Sequence, residues 1–233
     1  MPEQLKKALL IFAKRPLPGK VKTRMVPPLS PEEAADLYRC MQGDVLKMVT
    51  NFSDLALYLF YEDKEEAREY FAEIAPGIIS HPQRGNDLGE RMAEAFRVVF
   101  AMGHESAVII GTDAPDLPPA YIKEAFGRLE SGKKLAVFGP CEDGGYYLMG
   151  LIRLNRALFH DISWSSCTVL QESLERAKEE GIEFSLLPMW HDVDTVADLE
   201  RPELLATENG APLTREFIGN WQRMHSNPKK TTG

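Results

Sequence analysis

The sequence predicts an α/β fold built on a mostly parallel, mixed β-sheet with helices on both faces. Two observations lead there. Short apolar runs bounded by turn signals alternate with longer amphipathic stretches, and such alternation makes each connection a helical crossover between parallel strands. One pair of runs, 134–139 and 146–151, has only a Gly-containing turn between them, so one hairpin-like antiparallel pair enters the sheet.

Taken in order, the strand candidates are 7–13, 55–61, 106–111, 134–139, 146–151 and 183–188, with a weaker run at 77–80. The first strong helix spans "SPEEAADLYRCMQGDVLKM". Ser30 is its N-cap, Pro31 its first helical residue and Glu33 the partner in a capping box. Ala34, Leu37, Tyr38, Met41, Val45 and Met48 then recur at helical spacing on one face. "DLGERMAEAFRVVF" repeats the device with Asp87 and Glu90, followed by the stripe Leu88, Met92, Ala95, Phe96 and Val99. Further helices are expected at 119–131, 165–180 and 195–206. The polar end, "HSNPKKTTG", reads as disordered.

The 233 residues suit one large domain rather than two small cores. With 44% hydrophobic and 27% charged residues the composition is that of an ordinary soluble protein. A net charge of −8 argues against broad binding to nucleic acid or membrane surfaces. No stretch approaches the roughly 20 apolar residues of a membrane span, and the N-terminal apolar stretch is too short for a secretory signal. Cys40, Cys141 and Cys167 are odd in number and widely spaced. They fit a reducing cytoplasm and form neither a disulfide framework nor a zinc cluster.

Against that acidic background one loop is strongly cationic. "KRPLPGKVKTR", residues 14–24, carries Lys14, Arg15, Lys20, Lys22 and Arg24 and no acid. Pro16, Pro18 and Gly19 break regular structure there, so the segment reads as a loop leaving a strand. Concentrated positive charge at a strand end suits phosphate groups, with Lys14, Lys22 and Arg24 as neutralising cations. Gly19 would let backbone N–H groups approach the phosphates. The alternative is a solvated basic turn. Neither a Walker loop nor a G-x-G-x-x-G fingerprint is present.

Three acidic segments follow apolar runs. "VIIGTDAPDLPP" ends in Asp113, which is either a ligand-facing carboxylate or a turn residue. A carboxylate opposite a phosphate loop needs a cation between them, and Mg²⁺ or Mn²⁺ is the natural one. Asp116 reads as a helix cap. "GPCEDGGYYLMG" presents Glu142 and Asp143 before a Gly pair; these are acceptor-site groups with a general-base candidate, or an ordinary hairpin turn. "WHDVDTVADL" places Asp192 and Asp194 two residues apart, on one side of an extended segment, as a second metal-binding arm. Thr195 and Asp198 there look like a capping pair, and Trp190 and His191 are weaker candidates for a base or sugar pocket. Gln83, Arg84 and Asn86 sit in a polar loop suited to a nucleotide, or to nothing beyond helix entry. Ser165 or Ser166 stands at a helix N-terminus. No nucleophilic triad is legible.

Taken together, "FAKxPxPGxVKTR", "DLGERM", "GTDAPDLP", "EDGGYYL" and "DVDTxxDL" resemble a bacterial family of glycosyltransferase-like proteins, the radical-SAM/selenodomain-associated transferases 1. The resemblance runs from about residue 7 to residue 200. It implies a single-domain GT-A/Rossmann-like three-layer sandwich over 1–207, a nucleotide-diphospho-sugar transferase-like domain, with 208–233 as a C-terminal extension. More distantly, "KTRMVPPLSPEEAADLYRCMQGDVL" and "DVDTVADL" are similar to 2-phospholactate guanylyltransferases, although "EDGGYYLMG" departs from them. By motif position the resemblance makes Asp113 the metal-binding Asp, puts Asp192 and Asp194 at the second arm, and puts Lys14, Lys22 and Arg24 in the phosphate loop. The GT-A pattern usually reads Asp-x-Asp, where this chain has "TDAPD".

The expected function is a divalent-metal-dependent transferase using an activated nucleotide, most directly a nucleotide-diphospho-sugar acting on a small acceptor. A nucleotidyltransferase releasing pyrophosphate is the alternative, and a nucleotide-binding partner without turnover the second. The implied ligands are a nucleotide sugar or NTP and a small-molecule acceptor, with neither nucleic acid nor membrane; a homo-oligomer is compatible with this set.

Overall fold

The computed structural model describes residues 5–132 and 135–225. The expected disorder at 226–233, and residue 134 of the fourth apolar run, lie outside the described residues.

Seven strands form one sheet: β1 (Lys7–Phe12), β2 (Ala56–Glu62), β3 (Ile79–Gln83), β4 (Ser106–Ile110), β5 (Ala136–Pro140), β6 (Tyr146–Leu151) and β7 (Phe184–Leu186). Their spatial order is β3-β2-β1-β4-β6-β5-β7. Every pairing is parallel except those of β6, which runs antiparallel to both β4 and β5. The expected hairpin is therefore real, and it is the sole antiparallel insertion among the described strands. Weak strand 77–80 is displaced to 79–83, with Pro82 tolerated because β3 is an edge.

Among the described residues seven helices accompany the sheet: α1 (Pro31–Val49), α2 (Glu65–Ile74), α3 (Leu88–Ala101), α4 (Pro119–Glu130), α5 (Val169–Glu179), α6 (Pro202–Leu205) and α7 (Pro212–His225). Alternation along β1 separates the layers. Leu9 and Ile11 face a core with Val45 and Val49 of α1, Phe71 of α2 and Phe126 of α4. Ala8 and Leu10 face the opposite core with Phe96 and Val99 of α3 and Ala177 of α5. This is a three-layer sandwich.

The capping box of α1 forms in full, while α3 has only the Asp87 half of one, its Glu90 carboxylate accepting from Asn86. Ser30 Oγ accepts from Glu33 N at 3.1 Å while Glu33 Oε2 accepts from Ser30 N at 2.7 Å. Asp87 Oδ1 accepts from Glu90 N at 2.8 Å. Two expected helices are shorter. The one at 165–180 begins only at Val169. The one at 195–206 is a 3-10 turn, Val196–Glu200, followed by α6, because Pro202 forces Arg201 into extended backbone.

The segment after residue 207 carries α7, which docks on α1. Thr214 and Ile218 are buried, and Ile218 joins Leu37 and Met41 in a third apolar cluster. The buried Asp44 carboxylate of α1 caps α7 by accepting from Leu213 N at 3.0 Å, Thr214 N at 2.8 Å and Thr214 Oγ1 at 2.7 Å. Gly43 permits this approach: a Cβ there would lie 2.8 Å from Leu213 Cδ1.

Candidate active site

The topology brings four chemical segments to one end of the sheet. β1, β4, β5 and β7 run in the same direction, so the segments that follow them all emerge beyond their carboxyl ends. Between β1 and β4 the chain order reverses direction across the sheet, which is where open α/β sheets leave a crevice. There lies a cavity of about 600 Å³, lined among others by Lys14, Lys22, Arg24, Asp113, Asp143, Asp192 and Asp194.

The cationic loop is fastened from α1. Tyr38 Oη shares a 2.8 Å hydrogen bond with Thr112 Oγ1 and accepts from Lys14 N at 3.3 Å, while Gln42 Nε2 donates to Lys14 O at 2.6 Å. Burial, and next the charge of Asp113, push the Tyr38 phenol up to about 12, so it serves as a neutral strut. Lys14, Lys20 and Arg24 are exposed into the cleft. Lys22 differs: its backbone is left-handed (φ 47°, ψ 38°), and its side chain is 3% exposed. Its ammonium donates to Asp113 Oδ1 and, at 2.8 Å, to Asp194 Oδ1. Burial alone would favour the neutral amine, but Asp113 and then Asp194 hold the proton more tightly than usual.

The acidic wall is equally organised. Val193 N donates to Asp113 O at 2.8 Å, tying the arm that follows β7 to the end of β4. Asp198 fixes the turn beyond it: its Oδ2 accepts from Asp194 N at 2.9 Å and Thr195 N at 2.6 Å, and its Oδ1 accepts from Arg201 at 2.6 Å. Asp192 and Asp194 both face the cavity, as their spacing implied. Burial works against the Asp113 charge, yet Lys22 and Lys14 hold its carboxyl below the usual range. At Asp192 burial, then the neighbouring Asp113 charge, outweigh the pull of Lys22 and push the carboxyl up to about 7.

A carboxylate in that state fits a site built for another cation. Among the described residues no group of three or more His, Cys, Asp or Glu side chains is placed to hold a metal ion on its own. Mg²⁺ and Mn²⁺ sites that are completed by substrate phosphates need only one or two carboxylates, so Asp113, Asp192 and Asp194 suit that hard-cation class.

Several expected residues fall elsewhere. Glu142 is exposed and points to Arg201 at 3.6 Å; only its neighbour Asp143 lines the cavity. The reason is the turn itself. Asp143 Oδ1 accepts from Gly145 N at 2.9 Å, and Gly144 (φ +89°) abuts Cys167 O, leaving no room for a Cβ. Arg84 and Asn86 line no part of the cleft: Gly85 turns the chain, and Asn86 binds Glu90 through its N at 2.8 Å and Nδ2 at 3.0 Å. Gln83 and Arg91 instead edge an adjoining chamber of about 430 Å³, with Phe12, Leu88 and Met92. Gly19 (φ +70°) makes the turn that presents Lys20 without itself lining the cavity. Asp116 is no helix cap; it is buried beneath Trp190 and His191, with His191 Nε2 at 3.4 Å. Trp190 and His191 therefore anchor the arm rather than line the cavity. Trp164, Ser165, Ser166 and Cys167 also line the cavity.

Residues 45–166 match the family described as "uncharacterized protein conserved in bacteria (DUF2064)". No curated protein sequence matches the chain. A crystal structure from Desulfovibrio desulfuricans G20, provisionally described as a nucleotide-diphospho-sugar transferase, superposes with TM-score 0.84 at 30% identity, over 95% of this chain and 97% of that one. A cytidylyltransferase from Leptospira borgpetersenii serovar Hardjo-bovis gives TM-score 0.55 at 16% identity, over 98% and 100% of the two chains. Rv0371C of Mycobacterium tuberculosis H37Rv, in complex with manganese, gives TM-score 0.50 at 14% identity, over 83% and 95%. The last two likenesses are of fold.

Proposed function

The chain belongs to the DUF2064 family and is a transferase, and we propose that it transfers a group from an activated nucleotide in a divalent-metal-dependent reaction. A nucleotide-diphospho-sugar is the favoured donor and a small hydroxyl compound the acceptor. One observation carries this reading: basic residues 14–24 and the carboxylates Asp113, Asp143, Asp192 and Asp194 share one cleft although far apart in the chain. The relative from Desulfovibrio desulfuricans, 30% identical along nearly the whole chain, supports the sugar-nucleotide donor.

The residues divide the work by position. The chamber edged by Gln83 and Arg91, part apolar and part polar, suits the nucleoside, and Lys14, which borders both chambers, suits the diphosphate between them. A cation held by Asp113, Asp192 and Asp194 supplies charge neutralisation at the diphosphate when bound. Lys20 and Arg24 balance remaining phosphate charge. Asp143, exposed and lining the same cavity, accepts the proton of the acceptor hydroxyl as its oxygen bonds to C1 of the sugar and the nucleoside diphosphate leaves. Positioning and fixed charge carry most of the acceleration.

Nucleotidyl transfer is the second reading, favoured by the number of cations: Lys14, Lys20, Lys22 and Arg24 suffice for a triphosphate. A thermal-shift panel of NDP-sugars and NTPs with Mg²⁺, followed by assay of NDP or pyrophosphate release, separates the two. NDP release supports glycosyl transfer and pyrophosphate release nucleotidyl transfer; stabilisation without product defeats both.

A further inference from the structure

The cleft already holds a cation of its own. Lys22 Nζ sits between Asp113, which follows β4, and Asp194, which follows β7, bonding an oxygen of each. The side chain is 3% exposed, so this is a built contact and not a surface pair. Two of the three ammonium donors are used on these carboxylates, and Lys22 still borders the cavity, leaving one donor for an incoming anion. Meanwhile Asp192 is the carboxylate of the group that Lys22 does not bond. Two of the three metal-ligand candidates are thus occupied in the ligand-free chain. A divalent ion placed on the same oxygens would meet an ammonium at contact range, where like charges in a poorly hydrated site repel strongly.

We propose that Lys22 is a built-in competitor for the divalent cation, which makes metal binding conditional on the phosphates of the nucleotide. Phosphate oxygens take over the ammonium, Asp113 and Asp194 are released, and the metal binds the freed carboxylates together with the phosphates. Metal and nucleotide then bind with positive coupling, reciprocally and to the same factor. This rests on the metal-dependent reading above.

The test uses the full chain. Mn²⁺ is titrated alone and with inorganic pyrophosphate, and bound ion is read by water-proton relaxation against Mn²⁺-pyrophosphate blanks. The native chain is expected to bind Mn²⁺ at least about ten-fold more tightly with pyrophosphate than without. Lys22→Met and Lys22→Gln, which remove the charge, are expected to bind Mn²⁺ alone at least about ten-fold more tightly than the native chain, with little further gain from pyrophosphate. Lys22→Arg keeps the charge and stays weak. Circular dichroism and thermal melts establish that each variant is folded; if neither neutral variant folds, the coupling in the native chain decides. Tight Mn²⁺ binding by the native chain without pyrophosphate, or folded neutral variants that gain nothing, overturns the competitor role and leaves the metal reading standing. No Mn²⁺ binding by any form, with or without pyrophosphate, overturns both.

Discussion

At the scale of single residues, the cleft sorts neighbours that look equivalent in the sequence. Glu142 and Asp143 are adjacent acids, yet the turn sends one to Arg201 and the other into the cavity. Asp143→Asn is therefore expected to lower kcat by roughly 10²–10³-fold, in the range of a lost general base, with nucleotide affinity little changed. Glu142→Gln should stay within about two-fold of the native rate in the same steady-state assay. Similar losses in both would make the turn, and not one carboxylate, the active feature. Asp192 gives a prediction of opposite sign. The fold disfavours its charged form, since burial and Asp113 raise it to about 7. Above that pH the ionised group costs stability, because the folded state would rather keep the proton than the unfolded state would. Asp192→Asn should thus raise the melting temperature of the ligand-free chain at pH 8, by roughly 2–4 °C for an effect on the order of 1 kcal/mol. The same variant should lose the stabilisation that Mn²⁺ with pyrophosphate confers. A lower melting temperature would mean that Asp192 already has a compensating partner.

At the scale of elements, polar contacts between strands and loops fix what the apolar layers leave free. His104, just before β4, is buried; Nδ1 donates to Leu5 O at 2.8 Å and Nε2 accepts from Tyr58 Oη of β2 at 2.7 Å. In the neutral imidazole Nε2 takes the phenol proton as acceptor, and burial lowers the pKa from the ordinary value near 6.5, although the Leu5 carbonyl opposes this. The sign follows from proton counting. Between the lowered folded value and the unfolded one near 6.5, the unfolded chain binds more protons, so stability rises with pH across that window and is lost on acidification. His81, also lowered by burial, adds in the same direction. Asp192 slopes the opposite way over the same window, so the comparison is made in the Asp192→Asn variant, where urea unfolding at pH 5.5 should show a lower midpoint than at pH 7.5. Tyr58→Phe should shrink the difference if the phenol donates to Nε2, since the neutral ring then loses that bond. An equal pH effect in that variant would assign the slope to other groups.

At the scale of the whole molecule, the legible features were those with a local signature. Ser30-Pro31-Glu33 announced α1, the Asp87–Glu90 pair announced α3, and the apolar runs announced the sheet, including its antiparallel hairpin. Asp113, Asp143, Asp192, Asp194, Lys14, Lys22 and Arg24 share one cleft, as charge standing at strand ends implied, because the strand directions bring them together. What was not legible depended on distant partners. Tyr38 and Gln42 read as helix residues, yet they hold the Lys14 loop from α1 through its backbone. Arg84 and Asn86 had the right chemistry, but the local turn at Gly85 spends Asn86 on its own helix. The stretch "EDKEEAREYFAEI" hid α2, since only Ala67 and Phe71 of that helix are buried. α7 was hidden in the same way, because its cap is Asp44, about 170 residues earlier in the chain. That last contact makes the C-terminal helix part of the cleft's support. α7 and α1 share an apolar cluster with Val21, Met25 and Val193, residues that back the Lys22 loop and the Asp192–Asp194 arm. Ending the chain after Thr207 would strip Ile218 from that cluster and leave the buried Asp44 without its three donors. Burial of one Ile is worth about 1.5–3 kcal/mol, and an orphaned buried carboxylate costs at least about as much. The truncated chain is expected to lose at least about 3 kcal/mol in urea unfolding, and to lose its Mn²⁺-pyrophosphate response together with that stability. A truncated chain that unfolds at the native midpoint and still binds would separate the helix from the domain and leave α1 able to hold the site alone.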